Sequence, residues 1–101
     1  MMRLRYTETA LGEIDLIISY IAKDSPVAAQ EVAAAIEGTI ERIVAQPEFA
    51  PIIYGGDVHA KMVGRYQYRI FYMVKGGVLI VRNVRRTKQL RPWDAKSRRP
   101  R

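Results

Sequence analysis

Apolar positions recur at helical spacing through the first half of the chain and in short, dense runs through the second. From Ala10 they fall at Ala10, Ile14, Ile17, Ile18 and Ile21, with Leu11 beside them, a wide apolar stripe on one helix face. Thr7 is placed to cap that helix, which is expected to end near Lys23-Asp24. Leu16 and Tyr20, four residues apart, sit off the stripe. Ser25-Pro26 then restarts the chain: serine caps, and proline suits the first helical position, where no amide donor is needed. Val27 to Gln46 carries Ala29, Val32, Ala33, Ile36, Ile40 and Ile43 on one face, with Glu31, Glu37 and Glu41 largely elsewhere, until Pro47 stops it. So short a link between two long helices predicts an antiparallel helical hairpin.

After Pro47 the period changes. Residues 47–57 hold two prolines and a Gly-Gly pair and read as a loop. Strands are expected at Val58–Val63, at Gln67–Val74 and, after the turn Lys75-Gly76-Gly77, at Val78–Val84; the last two form a hairpin. Residues 2–6 alternate weakly and read as a first strand. The order is β-α-α-β-β-β, an α+β fold with the N-terminal helical hairpin packed on a small, mostly antiparallel sheet. Unbroken alternation sets Tyr68, Ile70, Tyr72 and Val74 against Gln67, Arg69, Phe71 and Met73. It likewise sets Val78, Ile80, Arg82, Val84 and Arg86 against Leu79, Val81, Asn83 and Arg85. Neither face is cleanly polar, so both are expected to be partly covered. Residues 1–93 read as one domain and 94–101 as a frayed basic tail.

Charge sharpens this division. The 101 residues carry a net charge of +7. Residues 1–50 hold four basic and eight acidic residues, whereas residues 51–101 hold 13 basic residues against Asp57 and Asp94. An acidic helical half and a basic strand half imply two different surfaces, the basic one suited to nucleic acid or an acidic protein. Lys61, Arg65, Arg69, Arg82, Arg85, Arg86 and Lys88 form the basic set, with Tyr66, Tyr68 and Tyr72 interleaved, a pattern able to grip phosphates and stack bases. Arg69 has apolar sequence neighbours, so it is either paired with a carboxylate or open to bind an anion. The absence of cysteine excludes a disulfide scaffold and a thiol nucleophile and suits the cytoplasm. The longest apolar run, Leu16 to Ala22, is far short of a membrane span, and no signal-peptide core follows Met1. No metal-ligand spacing and no cofactor motif occurs; His59 reads as loop or surface, and Glu13, Asp15, Glu31, Glu37 and Glu41 as solvated helix faces.

The element order, together with Tyr20-Ile21-Ala22, Ser25-Pro26-Val27-Ala28-Ala29, Pro47, Tyr68-Arg69-Ile70-Phe71-Tyr72 and the Val81–Arg86 strand, resembles the RelE/ParE superfamily of bacterial type II toxin–antitoxin toxins over about residues 3–88. The resemblance implies a toxin neutralised by a cognate antitoxin in a hetero-oligomer. RelE-like members cut mRNA on the ribosome; ParE-like members poison DNA gyrase. For an RNase it implies a phosphate contact at Arg69, a further catalytic cation at Arg85 or Arg86, and Lys61 and Arg65 on the basic approach. RNase members also commonly supply a C-terminal Tyr, or a His-Tyr pair, as acid–base group. Thr87 to Trp93 holds neither, and arginine is a poor base. That departure favours a gyrase-binding poison over a ribosome-dependent endonuclease. A general nucleic-acid-binding module fits the charge but not this pattern. Leu16, Tyr20 and Val27 are the residues expected to meet an antitoxin helix.

Overall fold

The computed structural model describes residues 2–48, 50–54 and 56–87. The elements are β1 (Arg3–Tyr6), α1 (Glu8–Asp24), α2 (Pro26–Ala45), β2 (Ile52–Tyr54), β3 (Val58–Met62), β4 (Tyr68–Lys75) and β5 (Val78–Arg86). The expected α+β architecture is present, with one addition: the segment read as a loop contains the short strand β2. Lys88 and the 94–101 tail lie outside the described residues.

Local chemistry sets the helix boundaries. The Thr7 hydroxyl accepts from the Ala10 amide at 3.0 Å, and the Ser25 hydroxyl accepts from the Ala28 amide at 3.0 Å. Ser25 also closes α1, donating its own backbone N–H to Ile21 O. One residue therefore ends one helix and caps the next, and Pro26 enters α2 where its missing N–H costs nothing.

The sheet order is β1-β5-β4-β3-β2, with β1 parallel to β5 and the other pairs antiparallel. Gly76 and Gly77 join β4 to β5 as a two-residue loop, both at positive φ (55° and 77°), the geometry whose twist matches a hairpin. The helices cover one sheet face. Val32, Ile36, Ile40 and Ile43 of α2 pack with Ile70, Tyr72, Leu79, Val81 and Val84 of the strands, and Ile14, Ile17, Ile18 and Ile21 of α1 lean on this core. Each fully buried aliphatic side chain contributes about 1.5–3 kcal/mol. The other sheet face holds a smaller cluster of Val58, Ala60 and Phe71, with Ile53 against it. Both faces are thus partly covered, as the mixed alternation requires. No helix among the described residues is long and apolar enough to cross a membrane.

One irregularity corrects the expected strand faces. Phe71 pairs with Asn83 but Tyr72 pairs with Val81, so Arg82 is an extra residue in β5, a bulge. Leu79 and Val81 face the helices before it, and Val84 faces them after it. Unbroken alternation had placed Val81 and Val84 on opposite faces.

Tyr72, fully buried, fastens the connection after α2. Its hydroxyl donates to Pro47 O at 2.7 Å, and its ring stacks on His59 at 4.9 Å between centroids. His59 Nδ1 in turn lies 2.8 Å from Ala50 O. His59 is therefore a packed strand residue, not the loop or surface residue its sequence setting implied. Burial raises the Tyr72 phenol above its ordinary value; the backbone at Ala50 opposes the shift and Glu48 adds to it. Because the folded state holds that proton more tightly than the unfolded chain, the associated stability is present below about pH 10 and is lost as pH rises beyond it. Tyr72→Phe is expected to cost about 1–2 kcal/mol in urea denaturation at neutral pH and to flatten the alkaline decline. An unchanged midpoint would show that the Pro47 contact does not secure this connection.

Candidate functional site

The register sorts the predicted basic residues between the two faces. Arg69 lies directly across from Arg85, with Met62 on its other side. The bulge places Arg82 and Asn83 both opposite the helices, since Val81 before them and Val84 after them face the core. Arg69, Arg82 and Arg85 therefore share the open face. Lys61 does not join them. It pairs with Ile70, in the phase of the helix-covered face, and Arg86, paired with Tyr68, has the same phase. Arg65 sits in the turn before β4, its guanidinium 5.7 Å from the centre of the Tyr66 ring. The tyrosines also belong elsewhere: Tyr66 and Tyr68 pack against the main core and Tyr72 is inside it. Basic residues and stacking aromatics do not interleave on one surface as the sequence suggested.

Two arginines that sequence reasoning assigned to the acidic half complete the open face. Leu4 and Tyr6 pair with the core residues Leu79 and Val81, so Arg3 and Arg5, paired with Val78 and Ile80, have the opposite phase. The face thus presents Arg3 and Arg5 from β1, Arg82 and Arg85 from β5, and Arg69 from β4. The signal was available as the Arg3-x-Arg5 alternation, once β1 is placed beside β5.

Glu13 too lies in a setting other than the one its sequence position implied. Expected to be a solvated acid, its side chain is only 21% exposed and accepts from three β5 residues. Oε1 takes the Val84 backbone N–H at 2.8 Å and Asn83 Nδ2 at 3.2 Å. Oε2 takes Arg85 Nε at 3.0 Å and Asn83 Nδ2 at 3.4 Å. These contacts engage both oxygens, close to the roughly four lone-pair positions an ionised carboxylate offers. Glu13 stands four residues before Ile17 on α1, so its phase borders the buried stripe, the one hint the sequence held.

The consequence is an unequal arginine pair. Arg85, 41% exposed, has a carboxylate partner. Arg69 has no hydrogen-bonding or ion-pair partner among the described residues. Like charges directly across a ladder repel, so Arg69 facing Arg85 carries a cost that a bound anion would relieve. Chemically the site can hold and neutralise negative charge. Guanidinium groups are poor general bases, and the ladder neighbours of Arg69 are Met62 and Arg85. Among the described residues no group of His, Cys, Asp and Glu is arranged to bind a metal.

A second surface lies on the helices. Leu16, Tyr20 and Val27 are 72%, 65% and 66% exposed, so none of them wraps the core.

Comparison with known proteins places this arrangement. The family model described as ParE toxin of type II toxin-antitoxin system, parDE, matches residues 4–91. The chromosomal ParDE TA system from P. aeruginosa superposes with a TM-score of 0.73 at 21% identity, covering 87% of this chain and 98% of that one. The isolated E. coli RelE toxin gives a TM-score of 0.62 at 16% identity, covering 98% of each chain. The E. coli RelBE toxin-antitoxin complex gives 0.61 at 17% identity, covering 88% of this chain and 100% of that one. Among curated proteins none matches the sequence.

Arg69→Ala removes the repulsion without opening a core cavity. It is expected to leave stability within about 0.5 kcal/mol of the parent or to raise it. A loss above about 2 kcal/mol in urea denaturation would show that Arg69 is a structural residue instead.

Proposed function

The chain belongs to the ParE toxin family of type II toxin–antitoxin systems, and on that premise we propose that it arrests growth by binding and poisoning DNA gyrase through the open face of its sheet. The observation that carries this reading is the character of that face. It gathers Arg3, Arg5 and Arg82 around the cross-strand pair Arg69–Arg85, of which only Arg85 has a carboxylate partner among the described residues, and the ladder neighbours of Arg69, Met62 and Arg85, are not proton-transferring groups. Such a surface binds an acidic partner well and is poorly equipped to activate a 2′-hydroxyl. The Thr87–Trp93 segment adds neither tyrosine nor histidine to the sequence.

Purified protein is expected to block gyrase supercoiling while leaving translated mRNA uncut in primer extension. Normal supercoiling at saturating protein would overturn the proposal. Codon-positioned cuts lost in Arg69→Ala would replace it with a ribosome-dependent endonuclease.

The antitoxin reading rests on the other surface. Leu16, Tyr20 and Val27 give an amphipathic antitoxin helix an apolar strip to cover, and acidic antitoxin segments suit the basic face. Leu16→Glu is expected to weaken antitoxin binding at least about tenfold by calorimetry with little effect on folding, since the residue is solvated in the free toxin. Unchanged affinity would remove Leu16 from the interface.

A further inference from the structure

We infer that Glu13 is the positioning residue of the basic face: from α1 it fixes the pose of Arg85, and so the geometry of the Arg69–Arg85 pair that meets an acidic partner. The inference rests on reading the open face as the target-binding surface. It adds a residue that lies on another element and in the acidic half of the chain.

The geometry carries it. β1 pairs with β5 only as far as Val81, and among the described residues no strand lies on the outer side of β5 beyond that point. Thr7 and Glu13 take over. The Thr7 hydroxyl donates to Arg82 O at 2.8 Å, and Glu13 receives the Val84 amide at 2.8 Å. Once Oε1 is held by a buried strand's backbone, Oε2 has a fixed place, and Arg85 Nε docks on it at 3.0 Å. A guanidinium gripped through Nε has its plane and direction restricted while its terminal nitrogens keep four further donors for a partner. Holding a long side chain in one pose before association lowers the entropy lost on binding. Glu13 would touch no partner itself; it acts through Arg85.

Glutamine separates this role from simple support. In Glu13→Gln the remaining carbonyl oxygen can still accept the Val84 amide, but the new NH2 group confronts Arg85 Nε–H donor to donor. The test uses the full chain in four forms, namely parent, Glu13→Gln, Arg85→Ala and the double variant. Two readouts are taken: the Arg85 Nε–H resonance by NMR, and the expression level that halves growth, normalised to folded protein. The expected result is a slowly exchanging Nε–H in the parent that is lost in Glu13→Gln while the Val84 amide stays protected. Potency is expected to fall about tenfold in Glu13→Gln, but by less than about twofold when the same change is made in the Arg85→Ala background. An unchanged Nε–H resonance, or an equal potency loss in both backgrounds, would overturn the inference. Should Glu13→Gln fail to fold, Arg85→Lys decides the matter. Lysine keeps the charge but not the planar side-on grip, so it is expected to lose as much potency as Arg85→Ala; parental potency would overturn the inference. Growth arrest reads potency whatever the target, and the NMR readout needs none. A failure of the gyrase proposal is therefore distinguishable from a failure here.

Discussion

The basic face of this small fold depends on how the outer side of β5 is satisfied once β1 ends. An edge strand with open amides and carbonyls is both an energetic cost and an invitation to misplaced pairing. Here the chain leaves β1 at Tyr6 and turns immediately into α1. Its first helical turns return hydrogen-bonding groups to the strand: Thr7 to the Arg82 carbonyl, Glu13 to the Val84 amide. The bulge at Arg82 belongs to the same solution. It shifts the phase of β5 by one residue, so Val84 stays in the core while Asn83 and Arg85 flank it and reach the Glu13 carboxylate.

This arrangement also explains how a chain with opposite charge in its two halves folds without cancelling its own surface. Glu13, one of the eight acids of the first half, bonds to the basic half through Asn83, Val84 and Arg85. It crosses over and is committed to β5. The helix layer therefore keeps its negative charge on one side of the sheet, and the open face keeps its positive charge on the other. A complete set of internal ion pairs would have stabilised the free protein only slightly, because exposed pairs contribute about 0–1 kcal/mol each, and would have left less charge to steer a partner.

Much of this was legible from residue patterns, and what was not has a physical reason. Both helix stripes, both caps, the Gly76-Gly77 hairpin and the α+β order follow from local rules, since a cap or a 3.6-residue period needs only near neighbours. The short β2 strand was hidden because its pairing with β3 is a nonlocal property of a proline- and glycine-bearing segment. The β5 bulge was hidden because one extra residue changes no composition, only phase. The candidate site was the least legible part, because strand pairing and register are nonlocal. Arg69, Arg82 and Arg85 do come together, yet Lys61 and Arg86 carry the phase of the other face, and Arg3 and Arg5 enter from a strand sixty or more residues away in sequence. Glu13 was misread for the same reason: helical phase tells that a carboxylate borders the core, but only the topology tells that unpaired amides wait there.

The position of Glu13 joins the two outward surfaces. Leu16 and Tyr20 follow it by three and seven residues, so the three side chains run along one side of α1 within two turns, about 10 Å. A helix is stiff over that distance, and α1 is bound at its start by the Thr7 cap and at its end by Ser25. The apolar strip and the carboxylate that holds Arg85 are therefore parts of one rigid body. A partner seated on Leu16 and Tyr20 lies against the same helix that sets the basic face. If both surfaces recognise partners as proposed, the apolar and the ionic contact would be set by the same helix. In a domain of this size one helix both packs the core and finishes the sheet, so the same element carries the apolar strip on its outer side and sets the pose of Arg85 on the basic face.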